Sequence, residues 1–134
     1  MSICFLNDKY LDLQEAKISP LDRGFLFGDA IYEVIIAVNK KPFELGAHLT
    51  RLKKNISSLK YSLSDQFDLE EIILEVISRN KFINQVIYVQ ISRGTDIVRD
   101  HIPSNDLIPT IFVSSHELKT CLLYTSPSPR DQLT

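Results

Sequence analysis

The stretch that decides the fold, residues 19–38, reads Ser-Pro-Leu-Asp-Arg-Gly-Phe-Leu-Phe-Gly-Asp-Ala-Ile-Tyr-Glu-Val-Ile-Ile-Ala-Val. Pro20 fixes one backbone angle, and Gly24 and Gly28 permit backbone conformations that other residues avoid. These residues predict a shaped loop. The β-branched run that follows, residues 31–38, predicts a strand. Both faces of this strand are mostly apolar, which predicts that it is covered on both sides.

Composition bounds the class of protein. A chain of 134 residues with 44% hydrophobic and 24% charged residues is typical of one globular domain. The formal charge of −2 gives no argument for nucleic acid or an anionic membrane as a partner. The apolar runs are only strand-length and the N-terminus lacks a signal-peptide pattern, so we expect a cytoplasmic protein without a membrane span. Cys4 and Cys121 have no metal-ligand spacing and are expected to be free thiols.

The end of the chain, residues 121–134, differs from the rest. It is rich in Ser and Pro and has neither helix nor strand periodicity, which is typical of a disordered terminus or a linker. The string also resembles the translation of a sequencing-adapter read-through. We therefore expect a native domain of residues 1–120, cut near Thr120, and a non-native tail of residues 121–134.

Hydrophobic spacing predicts an α+β fold with an antiparallel or mixed sheet and two helices. Apolar residues repeat every three or four positions over residues 45–59 and 68–80, which predicts two amphipathic helices. Short apolar or β-branched runs predict the strands at residues 3–6, 10–13, 31–38, 86–91 and 110–114.

A polar row borders the apolar stripe of the first predicted helix. His48, Arg51 and Asn55 fall together there when the helix is projected at about 100° per residue. The planar guanidinium of Arg51 suits bidentate binding of a phosphate. Taken alone, however, an arginine at such a border more often reaches to water, and a histidine there is more often structural.

The loop after the fourth predicted strand carries Arg99 and His101. Two such side chains, two residues apart, can converge on one anion, and a carboxylate is their natural ligand. Taken alone, the pattern is more often a solvated charged loop.

The motif of residues 22–33 is the most specific feature of the chain. It reads Asp22-Arg23-Gly24-Phe25-x-Phe27-Gly28-Asp29-x-x-Tyr32-Glu33. This motif resembles the N-terminal signature of the class IV, or fold type IV, pyridoxal-phosphate aminotransferases, and the resemblance extends over about residues 6–115. The family includes D-amino-acid transaminases, branched-chain transaminases and aminodeoxychorismate lyases. The resemblance implies the small N-terminal domain of a two-domain enzyme, with the second domain missing and the cofactor, pyridoxal 5'-phosphate, in the cleft between domains.

The same resemblance implies roles for individual residues. In the family, the pattern His-x-x-Arg-Leu supplies an arginine to the cofactor phosphate, and Arg51 matches that position. In D-amino-acid transaminases, a tyrosine and an Arg-x-His element hold the substrate α-carboxylate, and Tyr32, Arg99 and His101 match them. The chain therefore most resembles a D-amino-acid transaminase, which exchanges an amino group between an amino acid and a 2-oxo acid. Family members are typically homodimers in which the small domain helps to close the active site.

No lysine of the chain lies inside an apolar strand, although transamination needs a lysine that forms a Schiff base with the cofactor. In the family this lysine lies further along the chain, beyond the point where the tail begins. We therefore expect no catalytic residue in these 134 residues and no transaminase activity from the chain alone. The alternatives are a branched-chain transaminase or aminodeoxychorismate lyase of the same family, or a non-catalytic α+β module that binds an anion.

Overall fold

A computed structural model describes residues 2–61, 63 and 67–119. A six-stranded antiparallel sheet, in the order β2-β1-β6-β5-β3-β4, forms its centre. The elements follow the chain as β1 (Ile3–Leu6), β2 (Lys9–Asp12), a 3-10 turn (Leu13–Glu15), α1 (Arg23–Phe27), β3 (Ala30–Val38), β4 (Lys41–Pro42), α2 (Leu45–Ser58), α3 (Leu69–Arg79), β5 (Gln85–Ser92) and β6 (Thr110–Glu117). This architecture confirms the predicted α+β class and both long helices.

The core lies between one face of the sheet and helices α2 and α3. β5 is an interior strand, because it pairs with β3 on one side and with β6 on the other. The inward side chains Ile35, Ile87 and Ile111 are at most 1% exposed. They share one cluster with Leu52 of α2 and Ile73 of α3, so the apolar stripes of both helices are buried on the sheet.

The prediction that β3 is covered on both faces is wrong for the described part of the chain. Its burial alternates: Glu33, Ile35 and the other inward residues are buried, whereas the outward residues are not. The outward side chains are each about 40% exposed, namely Tyr32 (40%), Val34 (39%), Ile36 (40%) and Val38 (41%). The difference arises because both long helices pack on the same face, which leaves an open face that is still apolar.

The shaped loop before β3 contains a short helix, α1, that the sequence analysis did not predict. Asp22 caps its N-terminus by accepting a hydrogen bond from the Gly24 N–H at 2.8 Å. Gly28 ends it in the left-handed conformation, with φ of 66°. Gly24 is required by contact, because a Cβ at this position would lie 2.8 Å from the Cβ of Ser92. The loop is therefore fixed at both ends and packed against β5.

The remaining local features are a turn, a helix cap and a cysteine. The first hairpin turns at Asn7 and Asp8, and Asp68 caps α3 by accepting from the Glu71 N–H. No helix in the described ranges is long and apolar enough to cross a membrane. Cys4 is buried as a free thiol. Cys121 and the predicted tail lie outside the described residues.

Candidate functional site

Arg99 and His101 lie in the loop of residues 93–109, between β5 and β6, and both are exposed. The guanidinium carbon of Arg99 lies 4.9 Å from the ring centroid of Phe27, within the range of a cation–π contact. The His101 ring lies 5.3 Å from the same centroid, tilted by 50°. The structure thus brings the two side chains together on one aromatic ring at the end of α1.

Tyr32, the third residue predicted to bind the carboxylate, is not part of this group. It lies on the open face of β3 and stacks on Tyr88 of β5, with ring centroids 5.8 Å apart. Tyr88 in turn donates a hydrogen bond from its hydroxyl to Gln90. Burial, and then the neighbouring Tyr32, raise the pKa of Tyr88, so its hydroxyl stays protonated near neutral pH. The predicted carboxylate ligands therefore form two separate groups within one chain.

Arg51 forms a bidentate ion pair with Glu33. Its Nε donates to Oε2 at 2.8 Å and its Nη2 donates to Oε1 at 2.7 Å. The Glu33 side chain is only 3% exposed, whereas the Arg51 side chain is 48% exposed. Hydrogen bonding to Glu33 raises the pKa of Arg51 above its usual value. The guanidinium is thus held in one orientation and charged, and Nη1 is left outside the ion pair.

His48 completes this cluster. Its Nδ1 lies 2.6 Å from Oε1 of Glu33. Two members of the predicted polar row on α2, His48 and Arg51, therefore lie together, and both contact the buried carboxylate of Glu33. Glu33 was not assigned a role from the sequence. The signal was its inward position in an alternating strand, where a buried carboxylate requires a cationic or hydrogen-bonding partner.

Arg23 is a second residue that the sequence analysis left without a role. It is 4% exposed, although arginine is rarely buried without partners. Its Nη1 donates to the carbonyl oxygen of Asp100 at 2.6 Å, and its Nη2 donates to that of His101 at 3.0 Å. Its guanidinium carbon lies 4.5 Å from the centroid of Phe27. Arg23 therefore contacts the loop that carries Arg99 and His101.

Asp29 supplies the counter-charge. Its carboxylate accepts hydrogen bonds from Nε of Arg93 at 2.7 Å, from Nε of Arg23 at 3.1 Å and from the hydroxyl of Tyr61 at 2.9 Å. Burial raises the pKa of Asp29, but the hydrogen bonds from Arg93, Arg23 and Tyr61 outweigh it and lower the pKa overall. Burial, followed by the hydrogen bond to Asp29, raises the pKa of Tyr61. The carboxylate is therefore ionised and Tyr61 remains a donor.

Asp96 closes the same loop from inside. It accepts from the Ile97 N–H at 2.7 Å, from the Ser104 N–H at 2.9 Å and from the Ser104 hydroxyl at 2.7 Å. The hydrogen bonds from Ser104, and then that from Ile97, lower the pKa of Asp96. The segment from residue 96 to residue 104 is thus held at its base by Asp96 and at its centre by Arg23.

All nine lysines of the chain lie within the described residues, and all are exposed. None is therefore buried, as a lysine that forms a Schiff base usually is. In the described ranges, no group of three or more His, Cys, Asp or Glu side chains could hold a metal ion. Among the described residues, the half-exposed guanidinium of Arg51 has the donor chemistry that the phosphate of pyridoxal 5'-phosphate would require, and its role as that ligand stays a prediction.

Comparison with known proteins shows the family. Residues 30–129 match the family model described as amino-transferase class IV, which covers more than half of the chain. The chain therefore belongs to the class IV aminotransferases, as the motif of residues 22–33 predicts.

Among curated relatives, the chain is similar to D-alanine aminotransferases. That of Staphylococcus haemolyticus is 32% identical over 120 residues, which are 87% of this chain and 43% of the relative. That of Staphylococcus aureus (strain MSSA476) is 32% identical over 114 residues, which are 83% of this chain and 40% of the relative. The chain thus spans less than half the length of the curated relatives it matches.

Solved structures show the same fold. The branched-chain amino acid aminotransferase of Escherichia coli superposes with a TM-score of 0.78 at 16% identity, over 87% of this chain and 41% of that one. The 4-amino-4-deoxychorismate lyase of Pseudomonas aeruginosa gives 0.68 at 22% identity, over 85% and 39%. These matches confirm the predicted small domain of the class IV fold. The ligand roles of Tyr32, Arg51, Arg99 and His101 stay predictions.

Proposed function

We propose that this chain is part of a pyridoxal-phosphate-dependent transaminase that exchanges an amino group between a D-amino acid and a 2-oxo acid. The observation that carries the proposal is the placement of Arg99 and His101 on one ring, Phe27, in a loop whose backbone is held by the fold. An arginine and a histidine presented together suit a carboxylate. The similarity to D-alanine aminotransferases supports the same substrate class.

In this proposal Arg51 holds the cofactor phosphate. Glu33 occupies Nε and Nη2 of its guanidinium, so Nη1 and the exposed edge can donate to phosphate oxygens. Pyridoxal 5'-phosphate supplies, when bound, the electron sink that stabilises a carbanion at the substrate α-carbon. The task of this domain is to bind and orient, and the proton transfers fall to residues outside it. A branched-chain amino acid aminotransferase of the same fold, 24% identical with a TM-score of 0.74, was solved with N-(5'-phosphopyridoxyl)-L-glutamate.

We further propose that the full-length enzyme is a homodimer. Within one chain, Tyr32 stacks on Tyr88 while Arg99 and His101 contact Phe27. A second copy provides a way for the loop of one protomer to approach the open face of the other. The loop also exposes apolar side chains of the kind that interfaces bury, namely Ile97 (83%), Val98 (60%) and Ile102 (79%).

A branched-chain transaminase is the second candidate. Val34 and Ile36 follow Tyr32 on the open face of β3 and are about 40% exposed. Such an apolar surface suits a branched aliphatic side chain as well as that of alanine.

A donor screen on the full-length, cofactor-loaded enzyme tests the proposal. We expect D-alanine to react faster than L-leucine with 2-oxoglutarate as acceptor. A preference for L-leucine would favour the second candidate, and release of pyruvate from aminodeoxychorismate without an acceptor would indicate a lyase. The 134-residue chain, incubated with cofactor and both substrates, should show no turnover. If no donor reacts with either protein, a non-catalytic anion-binding module becomes the better description.

A further inference from the structure

Arg23 holds the backbone between the two predicted carboxylate ligands. Its Nη1 and Nη2 reach the consecutive carbonyl oxygens of Asp100 and His101, at 2.6 Å and 3.0 Å. These carbonyls belong to the two peptide units on either side of His101. Holding them fixes the backbone from which His101 projects and restrains Arg99, two residues earlier in the same loop. The contact joins residues 77 and 78 positions apart in sequence, and it is made by a residue that is 4% exposed.

Phe27 holds the two side chains themselves. Residues 23 and 27 are one helical turn apart in α1 and therefore share a face. The guanidinium carbons of Arg23 and Arg99 lie 4.5 Å and 4.9 Å from the Phe27 centroid, and the His101 ring lies 5.3 Å from it. One ring thus contacts the anchoring arginine and both ligands.

Arg23 does not itself have the geometry of a substrate ligand. Nε is bound to Asp29, and Nη1 and Nη2 are bound to the two loop carbonyls. Because this guanidinium is almost fully buried and hydrogen-bonded through all three nitrogens, Arg23 acts by holding the loop backbone in place. Asp29 supplies a counter-charge, which offsets part of the cost of burying this arginine.

We propose that Arg23 and Phe27 form a positioning pair: Arg23 fixes the Asp100–His101 backbone, and Phe27 fixes the side chains, so that Arg99 and His101 reach the same substrate carboxylate. This rests on the proposed function. Neither residue touches the substrate. Their effect is expected on the binding of carboxylate-bearing substrates and only weakly on the chemical step.

Arg23→Lys is the first test, because lysine keeps the charge beside Asp29 but cannot span two carbonyls with a single ammonium. Arg79→Lys is its matched control. Arg79 also pairs with a carboxylate, Glu75 at 3.1 Å, and also lies over an aromatic ring, Tyr10 at 4.3 Å, but it lies on α3.

The first measurement is amide hydrogen exchange in the 134-residue chain. In Arg23→Lys we expect exchange across residues 97–104 to accelerate by about tenfold, which corresponds to about 1.4 kcal/mol. The amides of β5 should be unchanged, and so should residues 97–104 in Arg79→Lys. If Arg23→Lys exchanges like the control, Arg23 does not hold the loop and the proposal is overturned.

The second measurement is steady-state kinetics of the full-length, cofactor-loaded enzyme. Arg23→Lys should raise KM for D-alanine and for the 2-oxo acid together, by about tenfold, with kcat within about twofold of the wild type. A fall in kcat with unchanged KM would show a general structural role and overturn the proposal. If Arg23→Lys does not fold, Phe27→Leu takes its place: KM should rise, and an unchanged KM overturns the proposal.

Arg99→Ala and His101→Ala separate this inference from the proposed function. If these variants leave both KM values unchanged, the predicted carboxylate site is wrong and the positioning role falls with it. If they raise KM while Arg23→Lys and Phe27→Leu do not, the site is right and only the positioning role is overturned.

Discussion

Glu33 and Asp29 each bind basic side chains, yet the two clusters use them in opposite ways. At Glu33 the carboxylate is buried and Arg51 is half exposed, so the cation is turned outwards. At Asp29 the arginine is the buried partner: the Arg23 side chain is 5% exposed and the carboxylate 18%. The same ion-pair chemistry therefore leaves the guanidinium of Arg51 accessible, whereas that of Arg23 is buried and stabilises the fold.

Besides exposure, the two arginines differ in how many of their nitrogens are engaged. Arg51 uses two nitrogens to bind Glu33 and keeps Nη1. Arg23 uses Nε to bind Asp29 and both terminal nitrogens to bind loop carbonyls. An arginine in a family motif is thus a candidate ligand only if its exposure and its free nitrogens allow it. By that criterion Arg51 qualifies and Arg23 does not.

The largest expected effect is that of Asp29→Asn. This change leaves the buried Arg23 and the nearby Arg93 without their shared counter-charge, and breaking a buried ion pair from one side costs about 3 kcal/mol. We expect the free energy of unfolding of the 134-residue chain, measured in urea at pH 7, to fall by about this amount. Glu75→Gln is the control, because the Glu75–Arg79 pair is exposed, and it should change stability by about 0.5 kcal/mol or less.

The pH dependence sharpens this prediction. The folded-state pKa of Asp29 lies below the unfolded value of 3.8, so its ionisation stabilises the fold above about pH 4 and this stabilisation is lost as the pH falls through the folded pKa. The difference in free energy of unfolding between the wild type and Asp29→Asn should therefore become smaller below pH 4. A difference that stays constant down to pH 2 would show that Asp29 does not act through its charge.

The sequence predicted the regular elements well, because their signals are local. The helix predicted at residues 45–59 is observed at Leu45–Ser58, and its polar border correctly placed His48 beside Arg51. The partners of the two clusters were not predictable in the same way. Arg23 meets carbonyls more than 70 residues away, and no periodicity encodes that contact. Arginine side chains are usually exposed, so the residue type alone predicts that Arg23 lies at the surface, whereas it is buried.

The apolar open face of β3 shows the other limit. Val34 and Ile36 are apolar, as expected in a strand that is covered on both faces, yet both long helices pack on the opposite face of the sheet. Apolar content shows that a surface avoids water and does not show which element covers it. By contrast, the short helix α1 was missed because its five residues are too few for a periodic signal. Two features of the sequence do indicate α1, namely Asp22 as a cap and the spacing from Arg23 to Phe27.

Glu33→Gln is expected to have a smaller effect on stability than Asp29→Asn, of about 1–2 kcal/mol. Removing this buried charge releases Arg51, which is half exposed and can be hydrated. Its effect on the cofactor should be larger: without the fork at Nε and Nη2, Arg51 loses its fixed direction, and the full-length enzyme should bind pyridoxal 5'-phosphate several-fold more weakly. Absorbance titration measures this affinity. If Glu33→Gln destabilises the chain more than Asp29→Asn, exposure of the partner cation does not govern the two clusters.

The smallest expected effect is that of Tyr61→Phe. The change removes one hydrogen bond to Asp29 and keeps the ring over which Arg93 lies at 4.7 Å, so we expect a loss of about 1 kcal/mol in the urea midpoint analysis. Tyr10→Phe is the matched control, because its ring likewise carries an arginine, Arg79 at 4.3 Å, and it should be close to neutral. In an Asp29→Asn background the Tyr61→Phe loss should shrink, because a hydrogen bond to a charged acceptor is the stronger one. Equal losses in the two backgrounds would mean that the Tyr61 hydroxyl does not act through the charge of Asp29, and that Arg23 and Arg93 alone keep Asp29 ionised.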